Sequence, residues 1–252
     1  MIEYPSTPVD LPYVTKAQMV VVDRAMIEDY HISLIQMMEN AGRSLAKLAR
    51  RRFLDGCPIG KKVVVLAGRG GNGGGALVCA RHLANWGAQI SAVLARPAAS
   101  FDGVPGHQLD IVRRLDMPVR EGEVVEDPMD DLADPDLIVD GLIGYSLVGA
   151  PRGTAARLIR WANAQDAPIL ALDTPSGLDA TTGKPLHPTI EADATLTLAL
   201  PKAGLREETA ALYVGALFLA DIGVPPALYA DLDLGFEVGP IFARSGILHV
   251  FG

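Results

Sequence analysis

The residues best equipped for chemistry fall in three short segments. The first is Gly68-Arg69-Gly70-Gly71-Asn72-Gly73-Gly74-Gly75, six glycines in eight residues. A backbone without Cβ atoms can approach a phosphate closely and aim its N–H groups at it. Gly68-x-Gly70-x-x-Gly73 also matches the dinucleotide fingerprint GxGxxG. The acidic partner of that fingerprint, due about 20 residues on, is replaced by Arg96-Pro97. A tight turn that lets a helix pack on a strand would need the same glycines, so both readings stand. The other two segments follow Asp140 (Gly141-Leu142-Ile143-Gly144-Tyr145-Ser146) and Asp173 (Thr174-Pro175-Ser176-Gly177-Leu178-Asp179). A lone aspartate after a strand usually caps a turn. Two of them behind long apolar strands are expected to be partly desolvated and close together. Burial and like charge raise a carboxyl pKa unless a cation compensates, so the pair suits acid–base work or metal binding. Serine hydrolysis fits poorly, because Ser176 lies in T-P-S-G rather than in a GxSxG elbow. The five histidines form no HExxH pair, and His82 reads as a surface or core-rim residue.

These segments need a scaffold, and the apolar periodicity supplies one. Residues 15–30 and 33–53 read as amphipathic helices, the second with Ser33 as N-cap and Gln36 completing a modest capping box. The run 61–67 reads as a buried strand, followed by the glycine loop and a helix beginning near Ala76 and closed by Gly87. Further strands are expected at 89–95, 136–140, 168–173, 194–200 and 211–220, with helices at 107–116 and 154–165. Strands alternating with helices predict an α/β fold with a parallel sheet covered on both faces. Ligands of such sheets bind beyond the carboxyl ends of the strands, where strand order reverses. All three segments are expected at that edge. No repeat or linker divides the chain, so residues 1–252 are read as one domain.

The bulk composition narrows the partners. Apolar residues make up 49% and charged residues 21%, as in a packed globular protein, and the net charge is -8. A nucleic-acid binder would carry excess Lys and Arg to neutralise phosphates. A small anion remains compatible, since local N–H groups outweigh a diffuse field at short range. Cys57 and Cys79 are isolated and fit no zinc or CxxC pattern, which favours a reducing cytoplasm. The N-terminal segment has no apolar h-region, and no run reaches the ~18 apolar residues that span a bilayer.

The motifs QMVVVDRAMIEDYHISLIQMMENAGRSLA, GRGGNGGGALVCARHLANWG, VDGLIGYSLVGAPRG, LALDTPSGLDATTG, LTLALPKAGL and ADIGVP follow one another in this order between residue 17 and about residue 225. In that order they resemble the NAD(P)HX epimerases, also called the YjeF N-terminal domain. The resemblance implies a Rossmann-like three-layer αβα sandwich with a mostly parallel sheet, usually a homodimer. It implies interconversion of the R and S forms of hydrated NADH and NADPH at C6 of the nicotinamide ring, with a separate S-specific dehydratase as functional partner. It further implies a potassium ion on Asn72, Asp140 and Ser176. Substrate would be held by the loop Gly71, Asn72, Gly73, Gly74 and Gly75, by the segment Gly144, Tyr145, Ser146, Leu147, Val148, Gly149 and Ala150, and by Asp173, the expected catalytic acid–base group. Protonation of the C6 hydroxyl would release water and leave a planar iminium open to attack from either face, and ring opening to an aldehyde makes the same acid–base demand. Lys202, in L-P-K-A-G-L, matches a family lysine that supports the fold or touches phosphate.

Two departures bear on this. Relatives usually read N-N-G-G-D-G where this chain has Gly71-Asn72-Gly73-Gly74-Gly75-Ala76, and G-T-G where it has Gly144-Tyr145-Ser146. The alternatives are a family member without epimerase activity, serving as a nucleotide-binding or protein-interaction module, and an NADP-dependent oxidoreductase with Arg96 on the 2′-phosphate.

Overall fold

The computed structural model describes residues 4–8, 11–122, 132, 134–231 and 234–252. Parts of the N-terminal segment (1–3, 9–10) and of the tail (232–233) lie outside the described residues. The strands are β1 (Lys62–Ala67), β2 (Gln89–Leu94), β3 (Val119–Glu121), β4 (Leu137–Gly141), β5 (Ile169–Leu172), β6 (Ala194–Leu198), β7 (Ala216–Ala220) and β8 (Ile247–Phe251). They form one eight-stranded sheet in the order β3-β2-β1-β4-β5-β6-β7-β8. Every neighbouring pair is parallel except β7–β8. The helices are α1 (Lys16–Glu28), α2 (Leu34–Arg52), α3 (Gly71–Asn85), α4 (Gly103–Arg114), α5 (Gly153–Asn163), α6 (Ala211–Val214) and α7 (Pro226–Asp231).

The expected αβα layering follows from the side-chain alternation of the strands. Val63 and Val65 of β1 pack with Leu45, Leu48, Cys79 and Leu83 of α2 and α3. Val64 and Leu66 point the other way, to Leu158 and Ile159 of α5. Burial on both faces is why the strands read as unbroken apolar runs rather than alternating ones. From β1 the chain steps outward to β2 and β3, then returns to place β4 on the other flank of β1. Strand order therefore reverses between β1 and β4, where Leu66 is in register with Asp140 and Ala67 with Gly141. That junction is the crevice in which open α/β sheets bind ligands.

Both N-terminal helices form as their sequence signals indicate. Thr15 caps α1 through a capping box with Gln18, and Gln36 Oε1 accepts the Ser33 N–H at 2.9 Å at the start of α2. Gly87 takes φ +95° just past the end of α3.

Two expectations need correction. The helix expected near Ala76 begins at Gly71, so most of the glycine loop is helical. Glycine is a poor helix former, but here it allows close packing: a Cβ at Gly74 would lie 2.5 Å from Met38 Sδ, and one at Gly42 of α2 would lie 2.4 Å from Gly75 O. The run 211–220 is not one strand. It is split into α6 and β7 at Gly215, whose φ of +59° lies outside both helical and extended conformation. The tail caps the sheet, with β8 pairing antiparallel to β7.

The α2–α3 contact gives a stability prediction. Gly42→Ala should drive a methyl into Gly75 O and Val78 and cost about 1–3 kcal/mol. Urea denaturation would register this as a lower midpoint at unchanged slope, whereas an unchanged midpoint would mean that the helices separate freely.

Candidate functional site

Above the switch point lies a cleft of ≈ 570 Å³, with Asn72, Tyr145, Asp173 and Lys202 among its walls. One wall is the glycine loop, and its glycines divide into two groups. Gly68, Gly73 and Gly74 are buried and needed for packing: a Cβ on Gly73 would fall 1.6 Å from Gly68 O, and one on Gly68 would fall 1.9 Å from Leu142 O. Gly70 and Gly71 are exposed, and a Cβ on either would meet nothing within 4 Å. The packing reading therefore holds for the buried glycines, and Gly70 and Gly71 present open backbone.

Gly71, Asn72, Gly75, Gly144, Tyr145, Ser146 and Asp173 line the cleft. Gly73 and Gly74 lie behind its wall. Leu147, Val148, Gly149 and Ala150 are not among the lining residues, and Val148 is 88% exposed. Asp140 and Ser176 are buried beneath the floor. Gly75 packs on Leu172, whose Cδ2 would lie 2.8 Å from a Cβ there. Leu172 thus fills space that a larger residue at position 75 would need.

The two aspartates occupy separate networks. Asp140 Oδ1 accepts from Ser176 Oγ at 2.6 Å and from the Leu142 N–H at 3.1 Å, and Oδ2 accepts from the Ser176 N–H at 2.8 Å. Burial pushes its carboxyl up to about 6, opposed by these hydrogen bonds. The expected like-charge effect of Asp173 is not among the causes; desolvation alone raises it. Ser176 Oγ also accepts from the Ile143 N–H at 2.8 Å, which ties the loop after β4 to that after β5. Asn72 Nδ2 donates to Leu172 O at 2.7 Å. Its Oδ1 is turned toward Gly144, within 2.7 Å of where a Cβ would stand.

Asp173 sits at φ +65° immediately after β5. Its Oδ1 accepts from Lys202 Nζ, from Thr197 Oγ1 at 3.3 Å and from the Leu198 N–H at 3.3 Å. Lys202 is 1% exposed and also donates to Leu198 O at 2.9 Å. So large a burial of a lysine is tolerated only when it is paired. Lys202 also lines the cleft, with Asp173 as its charged partner.

Sequence reasoning missed the roof of the cleft. Met19 and Asp23 of α1, and Met37 and Met38 of α2, close over the switch point. The Tyr145 hydroxyl donates to Asp23 Oδ2, and Lys16 Nζ donates to Ser146 O and Leu147 O, both at 3.1 Å. A carboxylate inside the apolar run MVVVDRAM was the one available signal. Arg96 also lines the cleft, and there it opens into a shallower hollow bordered by Arg152, Arg157 and Arg160. His82, 8% exposed, pairs with Glu39 at 2.8 Å, away from the cleft. Cys57 and Cys79 are both free, and burial pushes the Cys79 thiol far up, so it is inert.

Comparison with known proteins agrees with this geometry. The chain is 40% identical to an NAD(P)H-hydrate epimerase of Dehalogenimonas lykanthroporepellens over 94% of its own length and 90% of that protein. It is 37% identical to the bifunctional NAD(P)H-hydrate repair enzyme Nnr of Salinibacter ruber, spanning 41% of that longer protein. In fold it matches the crystal structure of yeast ynu0, YNL200c, with a TM-score of 0.80, 24% identity and coverage of 95% of this chain and all of that one. The model of the YjeF-related protein N-terminus matches residues 34–204, from α2 through the Asp173 and Lys202 segments, and the chain belongs to that family.

Proposed function

We propose that this protein is an NAD(P)HX epimerase, interconverting the R and S forms of hydrated NADH and NADPH at C6 of the nicotinamide ring. The observation that carries the reading is Asp173, a buried carboxyl opening on a cleft at the sheet's switch point. Lys202, Thr197 and Leu198 all donate to its Oδ1. Among the described residues no hydrogen bond occupies Oδ2, which is left for a substrate proton. At C6 the hydroxyl leaves as water once protonated, and the ring nitrogen lone pair forms the planar iminium. Water then adds to either face and gives up a proton to a carboxylate. The open backbone of Gly70 and Gly71 at the start of α3 suits the pyrophosphate, and the arginine-lined hollow beyond Arg96 suits the 2′-phosphate that NADPHX adds.

A potassium ion suits the donors between the cleft wall at Asn72 and the buried pair Asp140 and Ser176. Asn72, Asp140 and Ser176 offer an amide, a carboxylate and a hydroxyl oxygen, which are hard donors of the kind alkali cations take. The hydrogen-bond partners of buried Asp140 are a serine and two backbone N–H groups, none of them charged. When bound, the ion would supply the missing positive charge beside that carboxylate and hold together the loops after β1, β4 and β5. The wider setting proposed is a cytoplasmic homodimer working with an S-specific dehydratase; the longer relatives are named bifunctional NAD(P)H-hydrate repair enzymes. Among the described residues no helix is long and apolar enough to cross a membrane.

Two experiments test this. Purified protein given R-form NADPHX, with an S-specific dehydratase in excess, should regenerate NADPH well above the spontaneous rate. Asp173→Asn should lower that rate by about 10²- to 10⁴-fold while nucleotide affinity persists. A folded protein that binds nucleotide with no such rate would leave the binding module as the correct reading.

The second concerns the cation. The folded-state pKa of Asp140 is raised from 3.8 to about 6, so the folded protein holds a proton that the unfolded chain releases. Without potassium, stability should therefore fall as pH rises through that window, by roughly 3 kcal/mol. Potassium should raise the melting temperature strongly at pH 7.5 and weakly at pH 5, and Asp140→Asn should abolish the difference. Equal melting temperatures with and without potassium at pH 7.5 would exclude the site.

A further inference from the structure

Inversion at C6 through a planar iminium is served most directly by two acid–base groups, one on each face of the ring. Water must leave from one face of the ring and arrive at the other. Asp173 is pinned at Oδ1 by donors from Lys202, Thr197 and Leu198, which leaves Oδ2 as its oxygen for substrate. The cleft holds a second acidic group, delivered by a different element: Asp23 of α1, whose Oδ2 accepts from the Tyr145 hydroxyl. Both residues line the cleft, and the Tyr145 ring lies 5.8 Å from Lys202 Nζ. Lys16, two turns before Asp23 on α1, donates to the carbonyls of Ser146 and Leu147, so α1 holds this loop at more than one point.

We propose that Tyr145 and Asp23 form a proton relay serving the ring face that Asp173 does not reach, with the Tyr145 hydroxyl touching substrate and Asp23 positioned behind it as the proton store. This rests on the epimerase reading. In one direction Asp173 takes the proton of the entering water. The Tyr145 hydroxyl gives its proton to the departing C6 hydroxyl as the C–O bond breaks, and is reprotonated by the Asp23 carboxyl. In the other direction each transfer reverses: entering water gives a proton to Tyr145, which passes its own to the Asp23 carboxylate, while Asp173 protonates the leaving hydroxyl. The carboxyls exchange protonation states in each turnover and are reset by solvent or by the reverse turnover.

The surroundings suit a proton store. Burial pushes the Asp23 carboxyl up, against the lowering effects of the Tyr145 hydrogen bond and of Lys202, and Asp173 adds to the rise. Burial and the neighbouring Asp23 and Asp173 hold Tyr145 in its protonated form. Tyr229 of α7 also interacts electrostatically with Asp23. Two acidic groups in one cleft, one in a salt bridge and one pushed toward the protonated form by burial, are a recurring arrangement for dividing acid and base roles.

The test compares Tyr145→Phe, Asp23→Asn and Asp173→Asn with wild type in the coupled assay, recording kcat, KM and the pH profile of kcat. Tyr145→Phe should lower kcat about 100-fold with KM within about twofold. Asp23→Asn should lower kcat and also remove one limb of the pH profile. Unchanged kcat in Tyr145→Phe, or a change confined to KM, would overturn the relay, because a hydroxyl that only supports the loop affects binding. If wild type turns over and Asp173→Asn does not, the epimerase reading stands whatever the relay's fate. If wild type shows no turnover, both fall.

Discussion

The site depends on three stretches of backbone touching with no side chains between them. Gly68, Gly73 and the Leu142 carbonyl approach so closely that a single methyl at either glycine would collide with a carbonyl oxygen. This contact brings the first turn of α3 against the loop after β4, at the junction where strand order reverses. Everything above it inherits its position from that contact. Gly70 and Gly71 are left open to solvent, and Asn72 is turned toward Gly144. The glycines are therefore first a packing requirement, and their suitability for a phosphate follows from where the packing leaves the open ones.

Below and beside that contact, two buried carboxyls are managed in different ways. Asp173 has a lysine brought to it from the segment after β6, and such a pair is costly to break because either charge alone would be stranded in the interior. Asp140 has only hydrogen-bond donors, and burial leaves it an acid that gives up its proton reluctantly. The same residue type, on adjacent strands and at the same edge, thus acquires two chemistries. One is held in a salt bridge, and the other is held by neutral donors alone.

The strands and most of the helices were legible because burial on both faces writes itself as unbroken apolar runs, and because amphipathic helices carry their period openly. The exceptions have local causes. Glycine argues against helix, so the sequence puts the start of α3 near Ala76, yet close packing on α2 outweighs propensity there. The strand at 211–220 was read whole because its composition is uniform, while one positive φ at Gly215 divides it. Gly144, Tyr145 and Ser146 reach the cleft, whereas Leu147 to Ala150 are not among its lining residues, a distinction that spacing along a loop does not carry.

By itself the sequence determined which residues would stand at the carboxyl ends of the strands. A parallel sheet places the residue after each strand at one edge, and the identities Asp140, Asp173 and the glycines follow directly from reading the chain. Tertiary structure alone decided who meets whom. Lys202 finds Asp173, Ser176 finds Asp140, and α1 folds over the switch point to set Asp23 against Tyr145. These contacts join residues 29, 36 and 122 positions apart. Neither propensity nor periodicity encodes such distances, because both describe a segment's own conformation and leave its partners to the packing of the whole.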